Sequence, residues 1–168
     1  MLLPIMWVTC AVVIISAAVR SRRGSAQALR TARLGMAALY VGAGAAVNAF
    51  FLLRGDDYAD FAKDSYISFV RETWASLVVP NHDVFISLLI VFELAVGILV
   101  LLGGRRTQAA YLAAVAFHVA LLSFGWGFYL WSVPLVGALV TLLLAERRSG
   151  DPRPSLLRVS GAGEAKAA

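Results

Sequence analysis

Glu93, His118 and Asn48 are the residues whose types and positions could do chemistry together in this chain. Glu93 stands near the middle of Phe85 to Gly103, FISLLIVFELAVGILVLLG, a run with no other ionisable side chain. At about 1.5 Å per residue this run just crosses a hydrocarbon core of about 30 Å, which predicts a membrane-spanning helix with a carboxyl group inside it. An acid at that depth costs roughly 2.5 to 3.5 kcal/mol, so the side chain must face other helices, find a partner or carry a proton. Counted from the outer ends of their runs, Glu93, His118 and Asn48 all lie roughly 9 to 14 Å deep. The expectation is a shared pocket for a ligand or a proton. Glu93 and His118 would exchange a proton or hydrogen bond, Asn48 would complete the set, and Tyr40 shares the span of Asn48. A loop helix and the hairpin of Trp126 would form the roof.

The same residues admit a structural reading. A buried glutamic acid can hold helices together by bonding a backbone carbonyl or Ser87, and His118 and Asn48 can serve in the same way. Haem between His82 and His118 would need both rings in one cavity, and His82 sits in the surface loop Pro80 to Asp83. Cys10 is the sole cysteine, which leaves no internal disulfide and no cysteine-cluster metal site; no metal site is expected.

The elements that must position these groups follow from composition and charge. Hydrophobic residues make up 60% of 168 positions, charged residues only 15%, and the mean hydropathy is +0.78. Soluble domains carry about 25% charged residues, so a polytopic membrane protein of all-α class is expected, without room for a separate soluble domain. The net charge of +5 does not point to nucleic acid, because the arginines stand in short stretches between apolar runs and read as topology signals. The lipid bilayer is the expected partner.

Five spans are predicted. The first is Leu2 to Val19, followed by Arg20, Arg22 and Arg23, and therefore a retained span rather than a signal peptide. The second is Leu34 to Leu53, rich in glycine and alanine that let helix backbones approach. The third ends at Gly103 and Gly104. The fourth, Gln108 to Phe124, and the fifth, Phe128 to Leu144, are separated by Ser123 to Trp131, where two glycines and the interface-favouring Trp126, Tyr129 and Trp131 break the helix. Pro134 should kink the fifth span or mark its first turn.

Between the second and third spans, Tyr58, Ala62, Tyr66, Phe69, Thr73, Trp74 and Leu77 recur at helical spacing, predicting a helix lying in the outer interface and ended near Pro80. Residues 1–146 form the membrane domain and 147–168 a disordered basic tail. Twelve of the fifteen basic residues then fall on one side and six of the ten acids on the other. That places the amino terminus outside and the carboxyl terminus in the cytoplasm. The preference for arginine over lysine and the abundance of alanine suggest a bacterial plasma membrane.

The run Val91-Phe92-Glu93-Leu94-Ala95-Val96-Gly97 through Gly103 resembles the hallmark of DoxX-like membrane proteins, a glutamate-leucine pair before a glycine and a leucine-rich run ending in glycine. Arg33-Leu34-Gly35 with Leu39-Tyr40-Val41-Gly42-Ala43-Gly44 is similar to that family's opening helix. The resemblance covers about Arg33 to Leu144. It implies a four-helix core, here spans two to five with the first span as an addition. It also implies a role for Glu93 and Gly97, and an association with membrane redox systems, including a subunit of a thiosulfate:quinone oxidoreductase. The expected function is a small subunit of such a system, with a quinone-like ligand or proton in the Glu93 pocket and a membrane or cytoplasmic redox protein as partner. The alternative is a non-catalytic scaffold or assembly partner. Thiosulfate itself fits poorly, since only Arg54, Lys63 and Arg71 stand outside, among six acids.

Overall fold

The computed structural model describes residues 2–149 and contains five long helices with, among the described residues, no strand. They are α1 (Leu2–Ser21), α2 (Ala26–Leu53), α3 (Ser68–Leu99), α4 (Gly104–Phe124) and α5 (Trp126–Ser149), each long and apolar enough to cross a membrane. Each helix packs on its chain neighbour, and α5 returns to α1, so the five close into a ring. The first helix is therefore part of the wall rather than an appendage to the other four. Its Ile14, Ala17 and Ala18 are buried in the same core as Met36 of α2 and Leu139 of α5.

The arrangement of side chains on α3 follows helical periodicity. Ile86, Glu93, Val96 and Gly97 turn inward and are buried, while Val84, Leu88, Val91 and Ile98 face out and are all more than half exposed. The outward face of α3 is thus apolar as well. Ser87 is on the exposed side and is no partner for Glu93. Small residues set the spacing between helices: a Cβ on Gly97 would stand 2.5 Å from Val41 Cγ2 of α2, so only glycine admits this approach.

Three expected boundaries are corrected. The arginine-rich stretch is mostly helix: α2 begins at Ala26 because Ser25 caps it, its side chain accepting the Ala28 N–H at 3.2 Å. The single interfacial helix over Tyr58 to Leu77 does not form. Residues 54–67 are an irregular loop with one 3₁₀ turn, Ala59–Ala62, and the helix starts only at Ser68. The cause is local. Asp56 and Asp57 accept the backbone N–H groups of Tyr58 and Ala59, and Tyr58 takes a left-handed conformation, φ 57°, ψ 21°, that a helix cannot contain.

Pro80 also fails to end the helix. A π-helical turn, Trp74–Val78, and a 3₁₀ turn, Val79–Asn81, carry the chain into the third span, with Pro80 in an opening position where its absent N–H is tolerated. Pro134 lies inside α5, on an exposed face. The helix α5 continues to Ser149, beyond the expected end of the membrane domain; the rest of the predicted tail, from residue 150, lies outside the described residues.

Candidate functional site

The ring encloses a cavity of about 560 Å³ toward the end that carries the 54–67 loop. All five helices line it, and ten of its side chains are Phe, Tyr or Trp. Tyr40, Asn48, Glu93 and His118 lie in this one wall, whereas Trp126 does not: it is 75% exposed and meets Tyr66 edge-on and Tyr129 at a tilt at the surface. From the expected hairpin it is Phe124, Phe128 and Trp131 that face the cavity.

Local structure explains how α2 delivers its polar groups. Ala38–Ala46 is π-helical, a wider turn that accompanies functional or closely packed sites, and Tyr40 and Gly44 lie within it. Trp7 of α1 donates its indole N–H to the Ala43 carbonyl at 2.8 Å, fixing this segment. A Cβ on Gly44 would meet Glu93 Oε1 at 2.5 Å, so glycine leaves the space that the carboxyl group fills.

Two polar pairs result. Asn48 Nδ2 donates to Glu93 Oε2 at 2.9 Å. Tyr40 Oη lies 3.2 Å from His118 Nδ1, which also stands 2.9 Å from the Ala114 carbonyl oxygen. The expected bond between Glu93 and His118 is absent among the described residues; each is bonded instead to a group from α2 or its own helix. Nδ1 cannot at once accept from the Tyr40 hydroxyl and donate to the Ala114 carbonyl: a ring protonated at Nδ1 donates to Ala114 or to Tyr40 Oη, and one protonated only at Nε2 accepts from Tyr40. Nε2 and Glu93 Oε1 have no hydrogen bond among the described residues. Among them too, no group of three His, Cys, Asp or Glu side chains is placed to hold a metal.

The roof is aromatic and tied down by backbone contacts. Phe61 stacks on Trp74 with centroids 5.0 Å apart and meets Phe124 and Phe128 at 5.0 and 5.3 Å. Trp74 Nε1 donates to the Tyr58 carbonyl at 2.8 Å, and the Tyr58 hydroxyl donates to the Asn48 carbonyl at 3.0 Å. Ser65 Oγ donates to the Ser123 carbonyl at 2.5 Å, and Arg71 donates to the Ser65 carbonyl. Gly125, the single residue between α4 and α5, has φ 124°, and a Cβ there would meet the Asp64 carbonyl oxygen at 2.7 Å.

No family model, curated protein or solved structure matches the chain.

At the opposite end of the ring a second buried carboxylate has a full partner. Arg33 Nε and Nη2 meet Glu146 Oε1 and Oε2 at 2.8 and 2.6 Å, a two-pronged ion pair between α2 and α5. In the sequence Arg33 is indistinguishable from a topology charge, and Trp7, Tyr58, Phe61 and Trp74 carry no mark of a site. The only available signal was their aromatic character, which equally marks membrane-interface anchors.

Proposed function

We propose that the chain is a multi-pass membrane protein of the DoxX-like kind that binds a quinone-like or other amphipathic molecule in the Glu93 cavity, as a small accessory of a membrane redox system. The supporting observation is the cavity, about 560 Å³ with a mostly apolar wall rich in aromatic rings and two polar pairs set into it. Ligand sites have this composition: an apolar body and a few convergent polar atoms in roughly 300 to 1,000 Å³.

Membrane insertion is supported by the apolar outer faces, since water would not tolerate so continuous a surface. The orientation is supported by the two ends of the ring. Arg33, the 103–104 turn and Arg147–Arg148 gather at one end, and the acidic 54–67 loop stands at the other. With the amino terminus outside a bacterial plasma membrane, a cysteine placed at Asp57 takes a membrane-impermeant maleimide in intact cells. One placed at Arg106 takes it only after permeabilisation. The reverse pattern overturns the orientation.

Purification in mild detergent followed by solvent extraction tests the ligand. A stoichiometric quinone supports the reading; a colourless, quinone-free preparation with a stoichiometric protein partner sinks it in favour of a scaffold. The scaffold reading draws on one observation, that Asn48–Glu93 and Tyr40–His118 are already paired within the protein and join α2 to α3 and α4. Glu93→Gln separates the two. A change in melting temperature with full activity of the associated pathway leaves the scaffold; loss of that activity in a folded protein leaves the ligand or proton role.

A further inference from the structure

We infer that the cavity takes a lipophilic organic cation, an ammonium paired with Glu93 and an aromatic or alkyl body held among the surrounding rings. The inference rests on the reading of this cavity as a ligand site and names the class of ligand.

Charge is the first ground. No Lys or Arg lines the cavity, and the Glu93 carboxyl, 5% exposed, meets only the Asn48 amide among the described residues. An amide donates a hydrogen bond but supplies no countercharge. A carboxyl group so enclosed must take up either a proton or a cation.

Hydrogen-bonding valence is the second. The Asn48 N–H goes to Glu93 Oε2, and with the carboxyl ionised Oε1 is an acceptor without a donor. An open acceptor beside the cavity calls for a ligand that brings a donor. The carbonyls of an oxidised quinone bring none, whereas a primary ammonium brings three.

The wall is the third. Trp7, Tyr40, Trp74, Phe117, Phe128 and Trp131 come from all five helices and surround the space with π systems. Aromatic rings attract organic cations through the ring quadrupole, and tryptophan does so best. Aromatic packing alone would suit any flat apolar molecule; together with a carboxyl lacking a countercharge it selects a positive one.

The test uses the full-length protein in non-ionic detergent, read by intrinsic tryptophan fluorescence, because Trp7, Trp74 and Trp131 line the cavity. The probes are 4-phenylbutylamine, its neutral counterpart 4-phenyl-1-butanol, and decylubiquinone. The expected result is saturable binding of the amine with a Kd at least tenfold below that of the alcohol. Glu93→Gln removes that preference and leaves the alcohol unchanged. Partition into micelles is common to both proteins and cancels in the comparison.

Equal affinity for amine and alcohol, retention of the preference in a folded Glu93→Gln protein, or tighter binding of decylubiquinone than of the amine overturns the cation while the cavity stays a ligand site. Absence of saturable binding by all three probes overturns both. A measurement on the unaltered protein covers a Glu93→Gln chain that does not fold: carbodiimide labelling of Glu93, read by mass spectrometry. N,N-dimethyl-4-phenylbutylamine, a tertiary amine that forms no amide with the activated carboxyl, should protect Glu93 at a tenfold lower concentration than the alcohol, and equal protection overturns the inference.

Discussion

Glu146 and Glu93 are both carboxylates inside one helical ring, 3% and 5% exposed, and the fold provides for them in opposite ways. Glu146 receives two guanidinium N–H bonds from Arg33 in a fork that matches both its oxygens. Glu93 receives one amide N–H, and beside its other oxygen the chain places a glycine and an aromatic cavity. A neutralised carboxylate at one end locks α2 to α5. One without a countercharge at the other end is available to something from outside the protein. On the proposed function, the difference separates an acid used as structure from one open to a ligand.

The sharpest way to break this contrast is at the locked end. Arg33→Met leaves Glu146 enclosed without its partner and is expected to cost about 3–5 kcal/mol, measured as a fall in detergent-resistant thermal stability. Adding Glu146→Leu should recover most of the loss, because an apolar pair of similar size replaces a charge pair with little penalty. If Arg33→Met is no more harmful than a change at Glu93, the two ends do not differ as described.

Next in size is the roof. Gly125→Ala places a side chain where φ 124° and the Asp64 carbonyl both exclude it, at an expected cost of about 3 kcal/mol. Hydrogen exchange should show the 54–67 loop opening first, while the Arg33 end stays protected. Gly44→Ala pushes the new methyl against Glu93 Oε1 and should cost about 2 kcal/mol. Its signature is loss of ligand binding along with stability, since the carboxyl must leave Asn48 to make room.

Much of this arrangement was legible in the sequence, for reasons that also explain what was not. Five apolar runs separated by Arg22–Arg23, the acidic 54–67 stretch, Gly103–Gly104 and Gly125 mark the helices, because length and hydropathy are local properties. The inward face of Glu93 follows from its being the only charge in its run. The Arg33–Glu146 pair was hidden, since its members stand 113 residues apart and nothing periodic links them. The roof was misjudged because a helical spacing of aromatics carries no warning that Asp56 and Asp57 will turn the backbone at Tyr58. The Trp7 contact was hidden too, as a tryptophan near the end of a span looks the same whether it anchors at lipid or bonds the Ala43 carbonyl.

A smaller effect is expected at Tyr58, where roof and site meet. Tyr58→Phe removes the hydrogen bond to the Asn48 carbonyl, at about 1 kcal/mol. It also changes the alkaline limb. Burial, then the Asp56 and Glu93 carboxylates, push the Tyr58 phenol above its ordinary value of 10.0. With the folded value raised, the unfolded chain loses this proton first. Stability is therefore full below about pH 10 and declines as pH rises through the folded value. Melting curves of Tyr58→Phe should start lower than those of the parent protein and fall less steeply above that pH. Parallel curves would show that the phenol does not report on the site.

The least change in stability is expected where the change in function is greatest. Glu93→Gln preserves shape, keeps an oxygen to accept the Asn48 N–H and fits the same space over Gly44, so its melting temperature should correspond to less than about 1 kcal/mol. An acid that served to hold α2 and α3 together through its charge would lose far more, as Glu146 would without Arg33. A stability loss at Glu93→Gln approaching that of Arg33→Met would make the two carboxylates equivalent, and Glu93 would then be a second structural lock rather than a group available to a ligand.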